Sequence, residues 1–169
     1  CIRDSFFTTG PQLDLAEKLL ALAKAPEGSA VFLSNSGTEA NEAAIKICLV
    51  RKSGRIIVLD HAFHGRTLGA LSLTHKIAYR QPFGPSAVDV TFITPEDPEI
   101  LAGELEKGDI SGVFVEPIQG EAGVVPLTDE YLQQVRELTA GYDALMVVDE
   151  VQCGMGRTGR WFAHQSAHI

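Results

Sequence analysis

Apolar residues alternate along the chain between helical spacing and short unbroken runs. Leu15, Ala16, Leu19, Leu20 and Ala23 form a stripe within residues 12–25, closed by Pro26 and Gly28, which predicts an amphipathic helix. Ala30-Val31-Phe32-Leu33 reads as a short strand. A second helix is expected over 38–51, with Ala40, Ala43, Ala44, Ile47 and Cys48 at i, i+3, i+4, i+7 and i+8. Ile45 and Leu49 widen that face, so this helix should be largely buried, with Glu42 and Lys46 paired on its polar side.

Further along, Arg55-Ile56-Ile57-Val58-Leu59 is a buried-strand pattern ending at Asp60. Residues 61–87 hold a short helix near 67–72 within a long connection. A strand follows at Val88–Phe92, then a helix capped by Asp97 with Pro98 in its first turn. The pattern closes with a strand at Gly112–Val115, a helix at Asp129–Ala140 capped by Thr128, and a strand at Ala144–Val148. Strands alternating with helices predict an α/β fold whose mostly parallel sheet is covered by helices on both faces.

Composition narrows the class. The 169 residues carry 45% hydrophobic side chains and a net charge of −8, which fits a folded domain and gives no footprint for nucleic acid. No apolar stretch approaches a membrane span, and the start of the chain does not resemble a signal peptide, so a cytoplasmic location is expected. Cys1, Cys48 and Cys153 show no metal-like spacing and read as reduced thiols, Cys48 as a small core residue.

The chemistry gathers where strands end. The last strand runs into Asp149 and Glu150, and alternation puts Val147, Asp149 and Val151 on one face with Glu150 on the other. Ser36-Gly37-Thr38-Glu39 opens a helix. Ser36 and Glu39 have capping-box spacing, which suffices for an ordinary helix, while Gly37 and the two hydroxyls also suit a phosphate at its N-terminus. In Asp60-His61-Ala62-Phe63-His64-Gly65-Arg66-Thr67, Phe63 is either a core residue or a plate for a flat ligand. Arg66 is either solvated or a fork for a carboxylate. Asp60, His61 and His64 match no recognised metal pattern, and no metal is expected. Glu116-Pro117-Ile118-Gln119-Gly120-Glu121 follows another strand and by itself reads as a tight turn.

In open α/β sheets ligands bind at the carboxyl ends of strands, and these parts share that edge. A phosphate cradle, an aromatic plate, a carboxylate fork and an aimed acid together suit pyridoxal phosphate. An acid opposite the ring nitrogen favours the pyridinium form, the stronger electron sink.

These motifs, with Asp149-Glu150-Val151-Gln152-Cys153-Gly154-Met155-Gly156-Arg157-Thr158-Gly159, resemble class III aminotransferases, most nearly the acetylornithine/ornithine aminotransferase group. The blocks occur in family order from Phe6-Phe7 to Trp161-Phe162. The resemblance implies a fold-type I, pyridoxal-phosphate-dependent homodimer with its active site at the subunit interface. It implies that Ser36, Gly37 and Thr38 hold the cofactor phosphate, that Phe63 and Val151 flank the ring, and that Asp149 pairs with the ring nitrogen. Gln152 would approach the ring hydroxyl. Arg66 would bind a substrate carboxylate, Glu121 would switch between amino donor and 2-oxoglutarate, and Glu116 would be a supporting acid.

The implied reaction is transamination of an N-acetylornithine- or ornithine-type donor with 2-oxoglutarate, within arginine biosynthesis; a 4-aminobutyrate-type donor is the nearest alternative. The family's Schiff-base lysine lies downstream of the Asp149 block, and Lys18, Lys24, Lys46, Lys52, Lys76 and Lys107 do not sit in its context. Residues 1–169 are therefore expected to be part of the cofactor-binding large domain. The N-terminal segment, the lysine region and the C-terminal small domain would lie outside them, leaving this stretch inactive alone. A non-catalytic cofactor-binding or assembly module is the other alternative.

Overall fold

The computed structural model describes residues 8–169; Cys1 and the Phe6-Phe7 end of the resemblance lie outside them. The chain divides between Leu33 and Ser34 into two units. The first contains α1 (Gly10–Ala23), at whose start the Thr9 N–H donates to Gln12 Oε1 at 3.1 Å. The expected strand at 30–33 does not form. Its residues pair with no other strand among the described residues, and Phe32 is 70% exposed. An apolar run becomes a strand only where a neighbour takes up its backbone groups.

The second unit comprises, in order, α2 (Gly37–Arg51), β1 (Arg55–Leu59), α3 (Leu68–Ser72), α4 (Ile77–Arg80), β2 (Val90–Ile93), α5 (Pro98–Leu105), β3 (Ile110–Val115), β4 (Ile118–Gln119), β5 (Val125–Pro126), α6 (Asp129–Gly141) and β6 (Leu145–Val148). The main sheet has the order β2-β1-β3-β6, with all neighbours parallel. β4 and β5 form a small antiparallel pair. Asp97 and Thr128 cap α5 and α6 as expected, accepting from Ile100 N at 3.0 Å and Tyr131 N at 3.1 Å.

Period-two alternation sends each strand's side chains to two cores. Ile57, Leu59, Val113 and Val115 pack with Leu101 and Leu105 of α5 and Tyr131, Leu132 and Val135 of α6. Ile56, Val58 and Phe114 pack with Ile45 and Cys48 of α2 on the other side. The sheet is thus parallel and covered on both faces, and the Cys48 thiol lies in the second core, raised by burial to about 11. α2 is less buried than its apolar residues suggest. Asn41, Ile45 and Cys48 turn inward, whereas Ile47 is 61% exposed and Val50 89% exposed. Among the described residues no helix is long and apolar enough to cross a membrane.

Candidate active site

β1, β3 and β6 end side by side, and the residues after them meet the N-terminus of α2 around a cavity of about 240 Å³. Gly37, Thr38, Phe63, Arg66, Glu116, Asp149, Val151 and Gln152 line it, so most of the residues singled out in the sequence come together. Asn41, His64 and Gly65 complete the wall. Ser36 is not among the lining residues; its hydroxyl accepts from Glu39 N at 3.4 Å. Glu39 reaches back to Asn35 N at 2.7 Å, so the reciprocal cap closes one residue earlier than its spacing suggests. Glu121 lies in a neighbouring cavity of about 540 Å³, and Phe63 belongs to both walls.

Asp149 is the buried centre of the site, 9% exposed. Its Oδ2 accepts from Asn41 Nδ2 and from His64 Nδ1, each at 2.8 Å, and its Oδ1 accepts from Val151 N at 3.0 Å. Burial is the largest influence on this carboxyl and works to raise its pKa. The contacts from His64, Asn41 and the Val151 N–H outweigh it and hold the group below the ordinary carboxylate range. Because the carboxylate accepts, His64 Nδ1 carries the hydrogen. Its Nε2 is buried with no hydrogen-bond partner among the described residues, and the ring meets Phe114 edge-on at 5.6 Å. Glu150 turns away from the cavity, accepting from Ala163 N and from His164 N and Nδ1.

Glu116 is also buried, and its Oε2 accepts from Phe63 N at 3.0 Å. Burial first, then the charges of Asp149 and Glu121, push its carboxyl up to about 7 against the pull of His64 and the Phe63 N–H. Arg66 is exposed, with its guanidinium 4.0 Å from the Tyr79 ring and 5.5 Å from the Phe63 ring, and it makes no ion pair among the described residues. Gln152 rests on Gly120, whose bare Cα leaves room for the amide. Asp60 is paired with His75 Nε2 at 3.2 Å, and no group of three metal-ligating side chains assembles among the described residues.

Gly37 differs from expectation. A Cβ there would meet Val151 Cγ2 at 2.6 Å, so its small size admits Val151 to the helix start. Thr38 Oγ1 accepts from Arg66 N and Thr67 N, both at 3.3 Å, and lies 2.8 Å from Thr67 Oγ1. That hydroxyl fastens the Phe63–Thr67 loop, which leaves the first backbone N–H groups of α2 as anion donors.

Sequence reasoning assigned no role to Asn41 and gave Glu42 only a pairing with Lys46 on the polar side of the helix. A polar residue in register with Ile45 and Cys48 on the inward stripe was the available signal for Asn41. Glu42 gave none, because its partners lie well over twenty residues away.

The donor set suits pyridoxal phosphate. A buried carboxylate held anionic, an apolar Val151 and an aromatic Phe63 share one cavity with Gly37 and Thr38 at the start of α2.

A family model described as aminotransferase class-III matches residues 2–169. Acetylornithine aminotransferase from Bifidobacterium longum is 43% identical over 182 residues, which cover 95% of this chain and 42% of that protein. The Mycobacterium tuberculosis protein of the same name is 45% identical over 161 residues, covering 95% and 40%. Among solved structures, ornithine aminotransferase from Toxoplasma gondii superposes with a TM-score of 0.90 at 28% identity, covering 99% and 41%; it is described with partial occupancy of PLP at its active site. N-acetylornithine aminotransferase from Stenotrophomonas maltophilia gives 0.77 at 37% identity, covering 97% and 41%. The chain spans about two fifths of the length of these relatives.

Proposed function

This chain belongs to the class-III aminotransferases, a pyridoxal-phosphate family, and from that premise we propose that the whole protein transfers an amino group from an N-acetylornithine- or ornithine-type donor to 2-oxoglutarate. The observation that carries the proposal is Asp149, a carboxylate held ionised inside the cavity by His64 and Asn41. The names of the relatives support the donor class.

Bound here, pyridoxal phosphate supplies an electrophilic carbonyl and a cationic ring that stabilises negative charge on the substrate carbon. Asp149 keeps the proton on the ring nitrogen, since an opposite charge nearby favours the protonated form. Phe63 and Val151 flank the ring and exclude water from its faces. The N–H groups of Gly37 and Thr38 bind the phosphate at the start of α2, where the helix dipole adds roughly 1 kcal/mol. Gln152 reaches the ring hydroxyl. Arg66, stacked on Tyr79 and without an acid partner among the described residues, takes a substrate carboxylate bidentately. Glu121 lies on the far side of Phe63 and distinguishes donor from acceptor, and Glu116 fixes the Phe63 backbone.

Residues 1–169 then form part of the cofactor-binding large domain. The same reading carries a cytoplasmic homodimer acting in arginine biosynthesis. The homodimer is supported by exposed apolar side chains outside the cavity lining, Val124, Met155 and Trp161, which suit a covering protein surface.

The test is glutamate formation from 2-oxoglutarate with N-acetylornithine, ornithine or 4-aminobutyrate as donor. The first two should be used in preference, and Asp149→Asn should lower kcat by roughly a hundredfold or more, in the range seen for one preorganised electrostatic group. Borohydride reduction should fix cofactor to the wild-type protein. Cofactor that binds but is never fixed, with no glutamate from any donor, would mark a non-catalytic binding module instead.

A further inference from the structure

Glu42 lies on α2 outside the cavity, yet its Oε1 gathers three donors from a distant segment: Thr67 Oγ1 at 2.6 Å, Gly69 N at 2.8 Å and Ala70 N at 3.1 Å. The approach is close enough that a Cβ on Gly69 would sit 2.3 Å from Glu42 Oε2. Burial is the largest influence on this carboxyl and raises its pKa. The donors Thr67, Ala70 and Gly69, with Lys46 nearby, reverse that and leave it below the ordinary range.

The hydrogen bonds fix a direction. A threonine hydroxyl has one proton. Thr67 spends its proton on Glu42, so in its contact with Thr38 it must accept. Thr38 therefore donates to Thr67 while its lone pairs receive the N–H groups of Arg66 and Thr67. The chain runs Thr38 to Thr67 to Glu42, and the residue it encloses is Arg66.

We propose that Glu42 is a positioning residue for substrate recognition: by orienting the Thr38–Thr67 hydroxyl chain it clamps the Arg66 loop to the N-terminus of α2. The proposal rests on the reading of Arg66 as the carboxylate receptor. A fork that must meet two oxygens at once loses affinity when its backbone swings. Losing the clamp thus weakens binding of the carboxylate-bearing donor more than it slows turnover. With its proton committed to Thr67, the Thr38 hydroxyl also leaves cofactor phosphate binding to the backbone N–H groups.

The experiment compares Glu42→Ala, Glu42→Gln and Thr67→Val in the full-length holoenzyme. Glu42→Ala should raise KM for the amino donor about tenfold with kcat changed less than about threefold, the scale of one or two lost hydrogen bonds. Glu42→Gln keeps an oxygen for all three donors and should stay within about twofold of wild type. Thr67→Val severs the hydroxyl chain but leaves Gly69 and Ala70 bound to Glu42. It should raise KM in the same sense, and it carries the test should Glu42→Ala fail to fold.

Amide hydrogen exchange without substrate gives an independent readout. Gly69 and Ala70 should exchange about tenfold faster in Glu42→Ala, and at the wild-type rate in Glu42→Gln. An unchanged KM in both Glu42→Ala and Thr67→Val, a loss confined to kcat, or a glutamine variant as impaired as the alanine one overturns the proposal. Wild-type protein that turns over no amino donor overturns the functional reading instead, and exchange then decides whether the clamp exists.

Discussion

Glu116→Gln isolates the energetic consequence of placing a second acid beside Asp149. Glu116 is 4% exposed, and burial, aided by Asp149 and Glu121, lifts its carboxyl from the ordinary 4.5 to about 7. The folded protein therefore holds this proton more tightly than the unfolded chain. The stabilisation is complete below pH 4.5 and is lost as the pH rises through about 7. At about 1.4 kcal/mol for each tenfold, that gap corresponds to roughly 3 kcal/mol lost by pH 8. Glutamine keeps an oxygen for the Phe63 N–H and has no charge to bury. In urea unfolding of the cofactor-free protein, the variant should be more stable than wild type by roughly 1–3 kcal/mol at pH 8, with the gap narrowing through pH 5 and closing by about pH 4. No gain at pH 8, or a gain equally large at pH 5, would refute the assignment of a buried, protonatable Glu116.

Two further substitutions probe the frame. Gly65 adopts φ +137°, and a Cβ there would lie 2.2 Å from Thr38 Oγ1 and 3.0 Å from Ala70 Cβ. Gly65→Ala should cost at least about 2 kcal/mol and lower Tm by several degrees; a Tm within about one degree of wild type would show that the loop sits elsewhere. The Tyr131 hydroxyl is buried between α6 and the sheet without a partner among the described residues. Tyr131→Phe should be neutral or stabilising by up to about 1 kcal/mol, and a loss larger than that in the urea midpoint would reveal a bond this hydroxyl makes.

What could be read from the sequence follows from the range of each signal. β1 and β3 are buried on both faces, so the Ile56–Leu59 and Val113–Val115 parts of them show as apolar runs, and the caps Asp97 and Thr128 act on residues three positions away. Both signals are local and both were legible. The inward face of α2 was not. Counting apolar residues gave a broad face from Ala40 through Ala43, Ala44, Ile45, Ile47, Cys48 and Leu49, of which Ile45 and Cys48 turn in; the inward side also includes Asn41, because Asp149, 108 residues later, needs a donor. The run at 30–33 looked like a strand for the same reason in reverse, since its sequence says nothing about whether a neighbour exists. At the site, the acids, the aromatic and the arginine stood out by chemistry. His64 had no role beyond a metal pattern it does not match, and only the geometry makes it a donor to Asp149.

The misses at the site share a cause in the loop from Phe63 to Thr67. It pairs with no strand among the described residues, and its backbone groups are met by side chains. Glu116 accepts the Phe63 N–H, Asn41 donates to the His64 carbonyl, Thr74 accepts from His64 N and donates to the Gly65 carbonyl, and Thr38 accepts from Arg66 and Thr67. These partners come from three parts of the chain: Thr38 and Asn41 from α2, Thr74 from the segment after α3, and Glu116 from the end of β3. The polar residues around the cavity are therefore constrained twice, once by the ligand they would meet and once by the loop they hold. Asn41 bonds both Asp149 and the loop, and Glu116 lines the cavity while fastening Phe63. Changing such residues alters charge and geometry together. Glu42 and Thr74 lie outside the lining of the cavity around Asp149, although Thr74 lines the neighbouring one, and both touch the loop without touching Asp149, so they separate the two effects. Removing either should disturb the placement of Phe63 and Arg66 while leaving the charge at Asp149 as it is.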